Sequence, residues 1–424
     1  MKVVFGEKRL SSEASYTDLY VVAAMTVALL LLRDSLGVGV NKYLLLLILG
    51  VAAMVFPIRK VKCLIAFAMP LYYGLPGNYL TMIFLLRFLL ELRNVKLNGL
   101  NLLFCILAGG YILIQSIFKD RTAIAELMFW PGMILIMLMF ADSLGSEKKH
   151  FILGYAIGTA ALGMIMLIST LRIHGFQDLL SAASRLGDDT TRFAEEGIMN
   201  VSVDPNFYGM NAISAIAVGM REWINPNTTL TQKEKRVLMA CSAACGAVGL
   251  IGLSRAFFLV VVCWGILFVF LSNKAKIFAS SLAMAALAVA VVLIFMPEVL
   301  DAIFERFAGS DMATGNGRTL QIQRYVRMWS ATPDAFLLGL GLFNCSVHCA
   351  PLQALFGGGF LFVLNLAGYI LTLGSGSRRR TGEKFQLQRW LPLVATFMMS
   401  LTVPAFGLIN SVFPLVFAGL VMRE

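Results

Sequence analysis

Long apolar runs, separated by short polar segments, fill most of the 424-residue chain. About 20 apolar residues are enough for a helix to cross the hydrocarbon core of a membrane. The pattern predicts an all-α polytopic membrane protein with about 12–14 transmembrane helices in a single transmembrane domain, residues 1–424. The apolar runs lie at residues 19–32, 43–58, 63–75, 78–92, 100–118, 123–141, 151–171, 206–220, 237–252, 256–272, 277–296, 351–373, 390–405 and 409–422.

Composition excludes a water-soluble enzyme built around one buried core. Hydrophobic residues make up 58% of the chain, charged residues make up 14%, and the mean hydropathy is +0.79. Soluble domains contain about 45–50% apolar and about 25% charged residues. The first apolar run, Leu19 to Leu32, is expected to be a retained span, because no cleavable signal peptide precedes it.

Basic residues are distributed unequally between the loops. If successive loops alternate sides from a cytoplasmic N-terminus, 22 of the 35 Lys and Arg residues fall inside, 12 fall outside, and Arg87 lies within a span. Cytoplasmic loops of membrane proteins are enriched in Lys and Arg, so this bias predicts that both termini are cytoplasmic. The net charge of +11 is therefore attributed to topology and to contact with membrane lipids, and no nucleic-acid partner is expected.

Two long segments are predicted outside the membrane, at residues 172–205 and 297–350. Long connections in compact proteins usually carry function. The second segment is expected to form a hairpin of two amphipathic helices, with a break at residues 309–317 and an end at Pro333. Helical spacing places Arg318 on the inward face of the second helix, towards a buried cavity, and directs Arg324 and Arg327 elsewhere. The apolar positions are Leu300, Ile303, Phe304 and Phe307 in the first helix and Ile322, Tyr325, Val326 and Trp329 in the second.

Candidate chemistry is concentrated in the outer half of the chain. Arg255 follows Ser254 at the end of a predicted span. It is either a functional residue or an arginine whose side chain extends to the membrane–water interface. His348 lies where the second outer segment re-enters the membrane, as a proton-transfer group or as a buried, satisfied histidine. Cys345 and Cys349 flank His348, so a metal site formed by these three residues and a disulfide between the two cysteines remain alternatives. The sequence suggests no fourth metal ligand. No metal site and no cofactor is predicted.

The residues around His348 resemble the bacterial O-antigen ligase and polymerase superfamily. The resemblance covers about residues 185–368, with VDPNFYG at Val203–Gly209, GLSRAFF at Gly252–Phe258 and a third motif across the second outer segment. Cys349 and Ala256 stand where the family pattern has Asn and Gly. The third motif falls on Gly317, Arg318, Trp329, Pro333, Gly339, Gly341, His348, Leu352 and Gly358.

The resemblance implies a GT-C-like membrane glycosyltransferase with its active site outside the bacterial cytoplasmic (inner) membrane. Members of the family transfer glycan from undecaprenyl diphosphate to a sugar hydroxyl without a metal. His348 is then expected to be catalytic, and Arg255 and Arg318 to bind the diphosphate. Further substrate-binding candidates are Arg185, Arg192, Asn206, Tyr325 and Trp329. Arg185 and Arg192 are equally compatible with a solvated surface, and Asp204 and Asn206 with capping of the helix that begins at Pro205.

The leading interpretation is a polymerase that uses lipid-linked repeat units as both donor and acceptor. It is preferred because of the departures at Cys349 and Ala256. The alternative is a ligase that moves finished glycan to another acceptor. A lipid-linked oligosaccharide flippase is less favoured, because the loops differ in length on the two sides and Arg87 is the main charge within a span. A chain-length regulator or a flippase of the same pathway is a further partner that the resemblance implies.

Overall fold

The structure, a computed structural model, describes most of the helical part of the chain. The described residues are 16–92, single positions within 103–114, 124–140, 144–179, 201, 203–225, 228–252, 254–271, 318–342, 344–345, 347–378, 390–406 and 409–423. Most of the predicted run at 100–118, the run at 277–296 and the first amphipathic helix at 300–307 lie outside these residues.

The described part of the chain is helical and contains no strand. Each predicted apolar run within it forms a helix, which confirms the all-α prediction. In chain order the helices are α1 (Thr17–Leu30), α2 (Lys42–Val55), α3 (Ile58–Leu71), α4 (Gly77–Leu90), α5 (Ile124–Phe140), α6 (Lys148–Leu179), α7 (Pro205–Ile224), α8 (Gln232–Ile251), α9 (Arg255–Leu271), α10 (Arg318–Ser330), α11 (Pro333–Leu338), α12 (Ala350–Arg378), α13 (Leu391–Ser400) and α14 (Ile409–Arg423).

Two of the described helical stretches are long and apolar enough to cross a membrane. Gly145–Ile173 has a mean hydropathy of 2.1 and Ala350–Gly368 has a mean hydropathy of 1.5. Several further apolar helices, including α2, α4 and α13, are shorter. Many of their large apolar side chains face outwards, among them Leu47 and Val55 on α2, which are 60% and 73% exposed.

Polar contacts between helix ends define the two ends of the bundle. At one end the starts of α1, α3 and α6 meet: Lys60 lies 2.7 Å from the Asp18 carboxylate, and the Tyr20 hydroxyl lies 2.9 Å from Nδ1 of His150. We call this the His150 end. At the opposite end, just beyond the end of α3, the ring of Tyr73 packs against that of Phe207 at the start of α7, and Asn206 accepts a hydrogen bond from Ser254 at the start of α9. We call this the His348 end, because His348, which precedes α12, interacts electrostatically with Asp204 at the start of α7.

Two arginines in or next to the described apolar helices have acidic partners. Arg33 and Asp34 lie in a π-helical turn that extends α1, and their side chains are 4% and 0% exposed. Arg33 Nη2 donates to the Asp34 carboxylate and to the carbonyl of Gly74, each at 2.7 Å. A charge at this depth is tolerated because its partners compensate for the lost hydration. Arg87 pairs with Glu91 at the end of α4, so its charge lies close to the helix terminus.

Helix α12 is broken at Gly359, where φ is +74° and ψ is 179°. This backbone conformation is essentially restricted to glycine. Gly339 adopts the same conformation, with φ +74°, and the two glycines touch: a Cβ on Gly359 would collide with the amide nitrogen of Gly339. Helix α12 thus breaks where it contacts the loop after α11.

The carbonyl groups at the break are bonded by this loop. Leu340 N donates to the Phe356 carbonyl at 2.8 Å, and Gly341 N donates to the Gly357 carbonyl at 2.9 Å. The Tyr111 hydroxyl lies 2.5 Å from the carbonyl of Gly358. Residues 339–341 and 356–359, joined in this way, are called the glycine lock. It closes the loop that contains His348.

Substitution of Gly359 by alanine is expected to destabilise the protein. The positive φ costs a non-glycine residue about 1–3 kcal/mol, and the added methyl group collides with Gly339. The midpoint of thermal unfolding in detergent measures the loss.

Gly265→Ala in α9 is the matched control, because no described atom lies within 4 Å of its added methyl group. A helical Gly→Ala change should leave stability unchanged or raise it by up to about 1 kcal/mol. Equal unfolding midpoints for Gly359→Ala and the native protein would contradict the role of the lock.

Candidate active site

A small apolar cluster, separate from the main core, supports the loop at the His348 end. Its buried members are Cys345, Val347 and Phe356. The predicted apolar face of α10 packs against it through Ile322, Tyr325 and Trp329, whereas Val326, assigned to the same face, is 42% exposed.

The two aromatic residues of α10 that were candidates for substrate binding have packing contacts. The ring of Trp329 lies 4.7 Å from that of Phe336 and 5.8 Å from that of Phe356. The Tyr325 hydroxyl donates to the Asn344 carbonyl at 3.1 Å. Tyr325 therefore ties α10 to the loop, Trp329 packs α10 against α11 and α12, and a role of either residue in binding stays a prediction.

The second helix of the predicted hairpin, α10, differs from its prediction in two respects. Pro333 was expected to end the second helix, but α10 ends at Ser330 and Pro333 begins the separate helix α11, which Thr332 caps through its hydroxyl. Arg318 was expected to face a buried cavity. It is the first residue of α10 and is exposed, so that expectation is wrong.

His348 lies in the turn before α12 and is exposed at one side. Partial burial lowers the pKa of His348 below its ordinary value of 6.5, and the positive charge of Arg318 lowers it further. The carboxylate of Asp204 opposes both effects. The lowered pKa favours the neutral imidazole, the form that can accept a proton. The same electrostatic effects place Arg318 and Asp204 near the imidazole, although the three residues are far apart in sequence.

The starts of α7 and α9 are joined by side chains at this end. The Ser254 hydroxyl donates to Oδ1 of Asn206 at 2.7 Å and accepts from the amide of Phe257 at 3.3 Å. Asp204 caps α7 by accepting from the Asn206 amide at 2.7 Å. The capping interpretation of Asp204 is confirmed. Asn206 connects two helices, which accounts for its position without a ligand.

Arg255 follows Ser254 as the first residue of α9 and is half-buried. The bond between Ser254 and Asn206 fixes the helix start from which Arg255 extends. The structure thus brings the motif containing Asp204 close to His348 and joins it to the motif containing Arg255. Arg185 and Arg192 lie outside the described residues.

Gln353 is a residue of this region that the sequence patterns did not single out. It is 3% exposed. Its Nε2 donates to the Leu342 carbonyl at 3.0 Å, and its Oε1 accepts from the amide of Phe406 at 2.8 Å. It therefore ties the His348 loop to the segment between α13 and α14. Its location one helical turn after Cys349 is the signal that could have identified it.

The cysteines beside His348 are separate thiols. Cys345 is buried, Cys349 is half-buried, and neither forms a disulfide. Among the described residues, no group of three His, Cys, Asp or Glu side chains could hold a metal ion.

The geometry at the His348 end combines a neutral imidazole, an arginine that opposes its protonation and a carboxylate that favours it. Such a site can accept a proton from a hydroxyl group next to a bound anion. Neither a protein-family model nor a curated protein matches the chain.

Proposed function

We propose that the protein is a bacterial membrane glycosyltransferase that polymerises a surface glycan carried on undecaprenyl diphosphate. The helices would cross the cytoplasmic membrane about 12–14 times, with both termini inside and the His348 end outside. The unequal distribution of basic residues supports this orientation. Under it, the segments 172–205 and 297–350 would both lie on the side of His348.

The observation that carries the proposal is the convergence of His348, Arg318 and Asp204 at one end of the bundle. Asp204 comes from the cap of α7, Arg318 from the start of α10 and His348 from the turn before α12. A histidine that stays neutral beside an arginine suits a reaction in which a hydroxyl group loses its proton while a phosphate group gains negative charge.

The proposed reaction exchanges one carbon–oxygen bond for another. The bond between the anomeric carbon of the donor sugar and its diphosphate breaks, and the diphosphate leaves with the bonding electrons. The acceptor hydroxyl forms the new bond and transfers its proton to a ring nitrogen of His348. Arg318 and Arg255 stabilise the leaving diphosphate through charge-assisted hydrogen bonds. Asp204 stabilises the imidazolium that forms.

A second lipid-linked repeat unit serves as acceptor in this proposal. A ligase would use the same donor and the same proton transfer with another acceptor. Cys349 and Ala256, which depart from the family pattern, favour the polymerase.

Transfer by purified protein in liposomes tests the proposal directly. A lipid-diphosphate-linked repeat unit alone should give a ladder of longer products, resolved by electrophoresis or mass spectrometry. His348→Ala should reduce the rate by about 10²–10⁴-fold, the usual contribution of a general base. Transfer only to an added acceptor would show a ligase. Movement of the lipid-linked unit across the membrane without bond formation would show a flippase, and the absence of all three activities would overturn the proposal.

Arg318→Ala should reduce transfer by about 10²–10³-fold, because the leaving diphosphate loses a charged hydrogen-bond donor. Arg324→Ala is the matched control, since Arg324 is an exposed arginine on the same helix, and it should retain native activity. Initial rates at saturating donor distinguish the two variants. Similar rates for both would remove Arg318 from the site.

Asp204→Asn should move the acid limb of the pH–rate profile to lower pH. The carboxylate of Asp204 raises the pKa of His348, so its removal lowers that pKa and lets the imidazole stay neutral in more acidic solution. Asparagine also caps helices well, so α7 should be preserved. In the native protein the acid limb should lie below pH 6.5. An unchanged profile would separate Asp204 from His348.

A further inference from the structure

An apolar groove of about 520 Å³ lies between α5, α12, α13 and α14. Its volume is within the range of small-molecule binding sites, about 300–1,000 Å³. Its described lining is apolar apart from the Ser400 hydroxyl and the ring nitrogen of Trp390. A lining of this kind suits a hydrocarbon chain and offers few partners for polar groups.

The groove runs along the bundle from one end to the other. Ala350 and Pro351 line it at the His348 end. Trp390 and Met422 line it near the opposite end, where Arg221 at the end of α7 donates to the Val421 carbonyl. Along α14 the lining extends from Val412 to Met422, which corresponds to about 15 Å at 1.5 Å per residue.

The groove is accessible from the side of the bundle. Val394 and Phe397 of α13 both line it, and their exposed fractions are 38% and 48%. A ligand could therefore enter laterally, between α12 and α13, and would not need to pass through the polar end of the bundle.

At the His348 end of the bundle, the groove is continuous with the candidate active site. Ala350 follows His348 by two residues, and Phe406, which also lines the groove, bonds to Gln353. A molecule whose chain occupies the groove would therefore have its head group beside His348 and Arg318.

We propose that this groove binds the polyprenyl chain of the diphosphate-linked donor, an assignment that rests on the proposed function. A single groove matches a lipid with a single chain, whereas a phospholipid has two chains. A diphosphate head group at the His348 end of the groove also matches the positive charge of Arg318. The donor is thereby assigned to the α12–α14 side of the bundle, so the acceptor must approach His348 from another side.

Photolabelling of the native protein in liposomes tests this assignment without requiring transfer. The probe is a polyprenyl phosphate with a diazirine in its chain, and labelled peptides are identified by mass spectrometry. Labels are expected in residues 351–367 and 393–400. Excess undecaprenyl phosphate should prevent them, and an equal excess of phospholipid should not. Equal protection by phospholipid, or labels only at helices that do not line the groove, would overturn the assignment.

Ala367→Trp gives a second measure, because a large side chain at a half-buried lining position fills the groove. It should reduce labelling by roughly tenfold, equivalent to about 1.4 kcal/mol. Val51→Trp is the matched control, since Val51 is 53% exposed on α2, and it should label normally. Undiminished labelling of 351–367 and 393–400 in Ala367→Trp would also overturn the assignment.

The two proposals can fail separately. Labelling of the groove without any transfer activity would retain the polyprenyl site and reject the polymerase. A native ladder of products from Ala367→Trp, with labels at other helices, would reject the groove and retain the polymerase.

Discussion

Backbone groups at a break in an apolar helix must find hydrogen-bond partners, and this requirement determines the arrangement at the His348 end. Where α12 breaks at Gly359, the amides of Leu340 and Gly341 bond to the carbonyls of Phe356 and Gly357. An unpaired carbonyl in such surroundings would cost several kcal/mol. The loop from residue 342 to residue 349 is thus held at both ends by backbone bonds, and the position of His348 follows from them.

Electrostatics then determines the state of His348. Partial burial and Arg318 keep the imidazole neutral, and Asp204 moderates their effect. Asp204 is itself fixed as the cap of α7, and the neighbouring bond between Asn206 and Ser254 connects α7 with α9. Residues that cap and connect helices therefore also arrange the charges around the histidine, so structural and chemical roles overlap in the same few side chains.

The sequence predicted those features that depend on neighbouring residues. Hydropathy located the described helices except α10 and α11, and helical spacing identified the packed face of α10 at Ile322, Tyr325 and Trp329. The exposure of Val326 and Arg318 was not foreseen, because spacing gives the direction of a side chain and not what covers it. The contact between Gly339 and Gly359 could not be predicted, since either glycine alone is compatible with a turn or with helix packing. Gln353 was missed because its partners, Leu342 and Phe406, come from distant parts of the chain.

The glycine lock also separates two kinds of sequence constraint. The backbone bonds at 339–341 and 356–359 tolerate few substitutions, because Gly339, Gly341 and Gly359 all have a positive φ. Of the described residues in the enclosed loop, Cys345 and Val347 belong to a small cluster that is distinct from the main core. The exposed side chains of Asn344 and His348 stand outside this packing, so a substitution there leaves the frame intact, whereas a substitution at one of the three glycines disturbs the frame itself.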